Sequence, residues 1–242
     1  IQQAKIMSQK YDVVCTNPPY MGNRGMSTKL SSYVKKKFPN TRSDMSTIFM
    51  DKTLELCKHM GNMAMINIPV WMFISSYQKL REDLVDSKTI INMLHLGRGV
   101  FGSDFGTTAF VIKKGNLRSY NATYMKLYER QGSVDSLEMK EKWFFKRQGA
   151  SVTQKENFKT IEGMPIAYWI SRNMRKVFDV GTPLERLAAP RQGLATGNNN
   201  KFLRLWYEVN NTQIGVSMGS IKEFHDSGLK YAPYNKGGEY RK

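Results

Sequence analysis

The stretch YDVVCTNPPYMGN, residues 11–23, decides the reading of this chain. An apolar run, Val13-Val14-Cys15, ends on a polar amide, two prolines and an aromatic ring. Consecutive prolines donate no backbone N–H, so a strand ladder cannot continue through them. A strand is therefore predicted over Tyr11–Thr16, followed by a stiff turn, because proline fixes its own φ and biases the preceding residue to an extended form. The turn offers two acceptors, the Asn17 side-chain oxygen and the Pro18 carbonyl. Two acceptors so placed can hold both hydrogens of one exocyclic amine, and Tyr20 adds a flat face on which a base can stack. A diproline turn with an incidental Asn and Tyr is the bland alternative.

Downstream, Met21–Asn40 is polar and reads as a mobile loop or a short helix over a site. Ser43 or Asp44 can cap a helix running through His59, with Met45, Ile48, Phe49, Leu56, Cys57 and Met60 at helical spacing and Gly61 at the C′ position. Met63–Ile68 is a predicted strand stopped by Pro69. Ser75 and Ser76 open a second amphipathic helix with Tyr77, Leu80, Leu84 and Val85 on one face. Thr89–Leu96, Thr107–Ile112 and Asn121–Leu127 are further predicted strands. The alternation of apolar strands and helices argues for an α/β sheet covered on both faces. Residues 128–162 lack clear periodicity, Ala167–Phe178 is a predicted helix, and the Gly/Asn-rich segment that follows ends in a strand-like stretch. The expected divisions are 1–118, 119–185 and 186–242.

The 242 residues are 40% hydrophobic, enough to bury a core, and carry a formal charge of +17 spread along the chain. Such a field attracts polyanions, of which nucleic acid is the commonest; a basic protein without that role is the alternative. No run of about 18 apolar residues is present, so no membrane partner is expected. Two cysteines, Cys15 and Cys57, make neither a disulfide framework nor a metal cluster and fit a reducing cytoplasm. His59, His95 and His225 are scattered and read as structural. The first residues lack an initiator Met and an apolar signal core, and the last stop on charge. The chain reads as an internal piece of something longer.

The block DVVCTNPPY resembles the catalytic motif of the N6-adenine DNA methyltransferases, Asp/Asn/Ser-Pro-Pro-Tyr/Phe/Trp after a strand. SDMSTIFMDKTLELCKHMGNMAMINIP (43–69) and LGRGVFGSDFGTTAFVIKK (96–114) resemble the family's later blocks. GLATGNNNKFLRLWYEV (193–209) and KYAPYNKGGEYRK (230–242) resemble the large adenine methyltransferases of BREX phage-defence systems. The resemblance implies the C-terminal part of a Rossmann-like, S-adenosylmethionine-dependent domain, leading into a target-recognition region. It implies transfer of a methyl group to the N6 amine of an adenine flipped out of double-stranded DNA, with other defence-system proteins as partners. Asn17, Pro18, Pro19 and Tyr20 then take the catalytic positions. Phe101, with Phe105 as runner-up, matches the aromatic that packs on the flipped base, and Phe49 matches an apolar contact to the cofactor's adenine. Either role is equally explained by core packing.

The family's Gly-rich cofactor loop should precede the motif, yet residues 1–16 contain no glycine. Gly97-Arg98-Gly99 and Gly193–Gly197 lie in the wrong place for it. The loop is therefore expected outside this chain, and these residues alone are expected to bind the cofactor poorly. Expected DNA contacts are Lys35, Lys36, Lys37, Lys201 and Lys236, the last two in the polar loops Asn198–Lys201 and Asn235–Gly238. Lys142–Arg147 interleaves cations with aromatics, as a groove for nucleic acid does, though an amphipathic edge strand would look the same. Two alternatives stand beside DNA methylation: the same chemistry on RNA or a protein glutamine, and a non-catalytic DNA-binding subunit that senses cofactor.

Overall fold

The computed structural model describes residues 2–102, 105–189 and 196–235. By its internal contacts the chain divides once, after Pro183.

The first unit is built on a six-stranded sheet of order β1-β2-β4-β3-β5-β6. The strands are β1 (Tyr11–Thr16), β2 (Cys57–Asn67), β3 (Thr89–Gly97), β4 (Thr107–Lys113), β5 (Ala122–Lys126) and β6 (Ala150–Thr153). β1 and β2 are parallel, β3 and β5 are parallel, and β4 runs antiparallel between β2 and β3. β1, β2 and β3 therefore point the same way. Their carboxyl ends, Thr16, Asn67 and Gly97, share one edge with the start of β4, where Thr108 pairs with Asn67 and Thr107 with Gly97.

Helix α1 (Gln2–Ser8) leads into β1, α2 (Thr28–Lys37) and α3 (Met45–Leu56) join β1 to β2, and α4 (Gln78–Ser87) joins β2 to β3. The Asp44 carboxylate accepts from the Ser46 amide at 2.8 Å and caps α3, so of the two predicted caps Asp44 is the one used. On α4 the predicted face is buried: Tyr77, Leu80, Leu84 and Val85 all enter the main core with Met50, Met63, Trp71 and Met93. The Arg81 guanidinium is buried on the same helix. It donates to the carbonyls of Trp71 (2.9 Å), Ile74 (2.8 Å) and Gly163 (2.8 Å), anchoring the segment that leaves β2. Residues 21–40 are more than a loop. Helix α2 is capped by Ser27 and sits on a small core of its own, made by Met26, Val34, Phe38 and Ile48.

Several expectations are corrected. Helix α3 stops at Leu56 instead of His59, because Cys57 already pairs with Tyr11 in the sheet. Gly61 is not a helix C′ residue. It lies within β2, and the positive φ falls on Met60, at 63°. What Gly61 supplies is room: a Cβ there would stand 2.9 Å from the Asp12 carbonyl oxygen and 3.1 Å from that of Tyr11.

The first strand looked buried in sequence, yet β1 is an edge strand of this sheet. Val14 packs on the main core while Val13 on the opposite face is 60% exposed. The main core lies on one face. On the other, Leu94, Leu96, Met125 and Leu127 pack with Trp143 of α5 (Leu137–Phe145), so double cover is reached only around β3 and β5. α5 also corrects the strand reading of Lys142–Arg147: Lys140 and Trp143, one turn apart, face inward, and the Lys140 ammonium donates to the Leu96 (2.8 Å) and Leu127 (3.1 Å) carbonyls. The helix predicted from Ala167 begins later, as α6 (Arg172–Val180), where Ser171 caps it.

The second unit, 184–242, holds α7 (Asn199–Phe202) and α8 (Ile221–Asp226). The predicted strand-like stretch after Lys201 is instead a 3-10 turn, Trp206–Glu208, closed by the Glu208 carboxylate accepting from the Leu205 amide at 2.7 Å.

Candidate active site

Asn17-Pro18-Pro19-Tyr20 follows directly on β1, at the edge where the strand ends gather. In open α/β sheets ligands bind beyond the carboxyl ends of the strands. Pro18 is buried and anchors the turn; Asn17 is exposed and Tyr20 half-buried. The Tyr20 hydroxyl donates to Asn17 Oδ1 at 2.9 Å and lies 3.2 Å from the carbonyl oxygen of Ile66, near the end of β2. Burial pushes the Tyr20 phenol above its ordinary value of 10.0, so it stays protonated through the neutral range. Among the described residues no side chain or amide donates to the Pro18 carbonyl. Next to this turn, Asn67 is buried and locked: its side-chain oxygen accepts from the Trp71 indole at 3.0 Å and from the Thr108 hydroxyl at 3.2 Å. β2 and β4 thus set a wall of the site, beside which Asn17, the Pro18 carbonyl and Tyr20 offer their polar groups.

The connection from β3 to β4 supplies the second aromatic. Phe105 stands edge-on to Tyr20, with ring centroids 5.3 Å apart and planes at 90°. Phe101, the better match by sequence, is 62% exposed, holds a positive φ of 63°, and makes no ring contact among the described residues. The structure brings Phe105, not Phe101, to Tyr20. The spacing of both from Thr107 was visible in sequence; which of them meets Tyr20 was not. Phe49 is half-buried against the main core, which by itself accounts for an aromatic at that helix position.

The expected DNA-contacting lysines fall in different settings. Lys35, Lys36 and Lys37 form the last turn of α2, exposed and without an acidic partner among the described residues. Cations are also favoured at that place by the helix dipole alone. A cleft of about 530 Å³ lies between the α2–α3 connection and the start of α4, lined by Arg42 and Lys79 among others. Lys201 belongs to a helical turn capped by Asn198, not to a loop, and its ammonium sits 5.2 Å above the Phe202 ring. Lys236 lies outside the described residues.

Residues 2–101 match the model of the Eco57I restriction-modification methylase family. The matched stretch runs through the turn, α3, β2, α4 and β3, whereas β4 and Phe105 lie beyond it. Aligned over 253 positions, the chain is 37% identical to the adenine-specific methyltransferase PglX of Lacticaseibacillus casei (strain Zhang). Over 252 positions it is 38% identical to the adenine-specific methyltransferase BrxX of Escherichia coli O9:H4 (strain HS). Both alignments cover 100% of this chain but only 20% and 19% of those proteins, so the chain spans about a fifth of the length of the curated relatives it matches. A solved chain from a study of a type I restriction-modification system aligns with a TM-score of 0.50 and 17% identity, over 76% of this chain and 42% of that one. At that identity the likeness is one of fold, and it agrees with the α/β architecture described above. The resemblance read from DVVCTNPPY therefore extends along the whole chain, which is similar throughout to the adenine-specific methyltransferases PglX and BrxX.

Proposed function

We propose that this chain forms the acceptor side of an adenine-specific DNA methyltransferase working in a BREX-like phage-defence system. The observation that carries the reading is the pairing of an exposed Asn17 with the Tyr20 and Phe105 rings at the carboxyl edge of the sheet. An adenine N6 amine is a poor nucleophile because its lone pair is delocalised into the ring. Accepting its two hydrogens on Asn17 Oδ1 and the Pro18 carbonyl draws the nitrogen toward sp³ and aims the lone pair at the incoming methyl group. Once methylated the nitrogen is cationic and acidic, and it loses one proton to solvent. No separate basic side chain is called for. The base reaches this turn only after leaving the duplex, and the Tyr20 ring gives it a surface to stack on.

S-adenosylmethionine is the methyl donor in this reading. The residues here fit its transfer end and not its cradle: Phe49 is taken up by core packing and no glycine stands among residues 1–16. The charge of +17 and the exposed Lys35–Lys37 turn support DNA as the substrate, and the relatives' names support adenine as the target; partners in a defence system follow from the resemblance read in the sequence.

The test is transfer of labelled methyl from S-adenosylmethionine to unmodified plasmid DNA by the full-length protein, with nucleoside analysis of the product. Label on N6-methyladenine that falls about 100-fold or more with Asn17→Ala, while DNA binding persists, supports the reading. Full transfer by Asn17→Ala, or label on RNA or protein in place of DNA, sinks it.

A further inference from the structure

The Tyr20 hydroxyl has one proton and two oxygens in reach, Asn17 Oδ1 at 2.9 Å and the Ile66 carbonyl at 3.2 Å. The two choices are not equivalent for Asn17. Donating to Oδ1 holds the amide with its oxygen turned to Tyr20, leaving a second lone pair on that oxygen for a substrate amine. Donating to Ile66 would instead let the hydroxyl accept from Asn17 Nδ2, with the amide turned over and its two unlike ends exchanged. Only the oxygen end can accept an amine hydrogen. Among the described residues no other side chain or backbone group bonds the Asn17 side chain, so there the Tyr20 hydroxyl alone selects its orientation. The ring that carries the hydroxyl is itself held, half-buried and edge-on against Phe105.

We propose that the Tyr20 hydroxyl is a positioning group that sets which end of the Asn17 amide faces the target, a role separate from the stacking surface of its ring. The inference rests on Asn17 being the acceptor of the target amine. It distinguishes the two parts of one side chain: stacking needs only the aromatic face, whereas orientation needs the oxygen.

A double-mutant cycle tests this in the full-length protein. Tyr20→Phe keeps the ring and removes the hydroxyl. Asn17→Asp replaces the amide by a carboxylate whose two oxygens are alike, so no orientation remains to be selected. Single-turnover methyl transfer from S-adenosylmethionine at saturating DNA, and DNA affinity by anisotropy, are measured for the wild type, both single variants and the double variant. Tyr20→Phe is expected to slow transfer about five- to tenfold, the worth of one positioned neutral hydrogen bond, with DNA affinity unchanged. Added to Asn17→Asp, the same substitution is expected to cost less than twofold. Equal cost in both backgrounds would mark a merely structural hydroxyl and overturn the inference, as would wild-type transfer by Tyr20→Phe. If Asn17→Asp transfers too slowly to measure, the single variant decides: slower transfer with intact DNA affinity supports the role, an unchanged rate ends it. Absence of N6-methyladenine from the wild-type product overturns the function reading, and this inference with it. A methylating wild type beside a fully active Tyr20→Phe overturns the inference alone.

Discussion

The Phe105 ring stands edge-on to Tyr20 at 5.3 Å, joining the β3–β4 connection to the turn after β1 across 85 residues of sequence. A right-angled pair leaves at least one face of the Tyr20 ring available while it holds that ring in place. Base–aromatic stacking is worth about 1–3 kcal/mol by alanine substitution. Phe105→Ala in the full-length protein is therefore expected to raise KM for DNA about tenfold and to lower kcat less. Phe101→Ala, at an exposed position with no ring partner among the described residues, is expected to change KM by about twofold at most. Steady-state methyl transfer on both variants ranks the two rings, and a larger effect at Phe101 would reverse the assignment.

Gly61 carries a different prediction. Its missing side chain lets β2 pass close to the Asp12, Tyr11 and Lys58 carbonyls, within 2.9–3.1 Å of where a Cβ would sit. All three are backbone atoms and cannot swing away. Gly61→Ala is expected to cost about 1–3 kcal/mol of stability through displacement of β1. Urea unfolding would show it as a lowered midpoint, and an unchanged midpoint would mean the strand yields freely.

Arg81 holds three carbonyls at once, those of Trp71, Ile74 and Gly163, with no carboxylate in the set. Arg81→Met would fill much of the same volume and leave those oxygens without their donor. A loss of about 3 kcal/mol is expected by chemical denaturation. Because two of the acceptors lie in the segment leaving β2, the loss should be accompanied by faster amide exchange around Trp71–Ile74.

His95 gives the chain an acid-sensitive step. Burial, with the Lys126 charge as a second cause, lowers its pKa from 6.5 to about 4. The folded state therefore binds the His95 proton less readily than the unfolded state. Its contribution to stability, up to about 3 kcal/mol, is complete above pH 6.5 and is lost as the pH falls from 6.5 toward 4. Urea midpoints measured across that window should fall with acidity. His95→Gln should flatten the slope there, and an equal slope in the variant would assign the acid response to other groups.

How far the sequence could be read differs from element to element. The stop at Asn17 was legible because proline's missing N–H acts on its own neighbours. A cap at Ser43 or Asp44 and the Tyr77, Leu80, Leu84, Val85 face were legible for the same reason: a cap reaches two residues and a helix face repeats every three or four. The end of α3 was not, because Cys57 is drawn into the sheet by Tyr11, a partner 46 residues away. Lys142–Arg147 read as strand because alternating cations and aromatics carry no period that separates an edge strand from a one-sided helix. Burial of Trp143 and the anchoring of Lys140 on the Leu96 and Leu127 carbonyls settle it. Asn198–Lys201 read as a loop because a four-residue helix has too few positions to show periodicity.

The sequence by itself determined the chemistry this chain can offer: an amide, a carbonyl and an aromatic ring at the end of a strand, in a strongly basic chain. Those properties are local, set by bonded neighbours and by composition. Only the tertiary structure decided which phenylalanine meets Tyr20, that β4 enters antiparallel between β2 and β3, and that the Tyr20 hydroxyl stands between Asn17 and Ile66. Each of these depends on contacts between segments far apart in the chain, where packing and hydrogen-bond geometry in three dimensions, not residue type, select the partner.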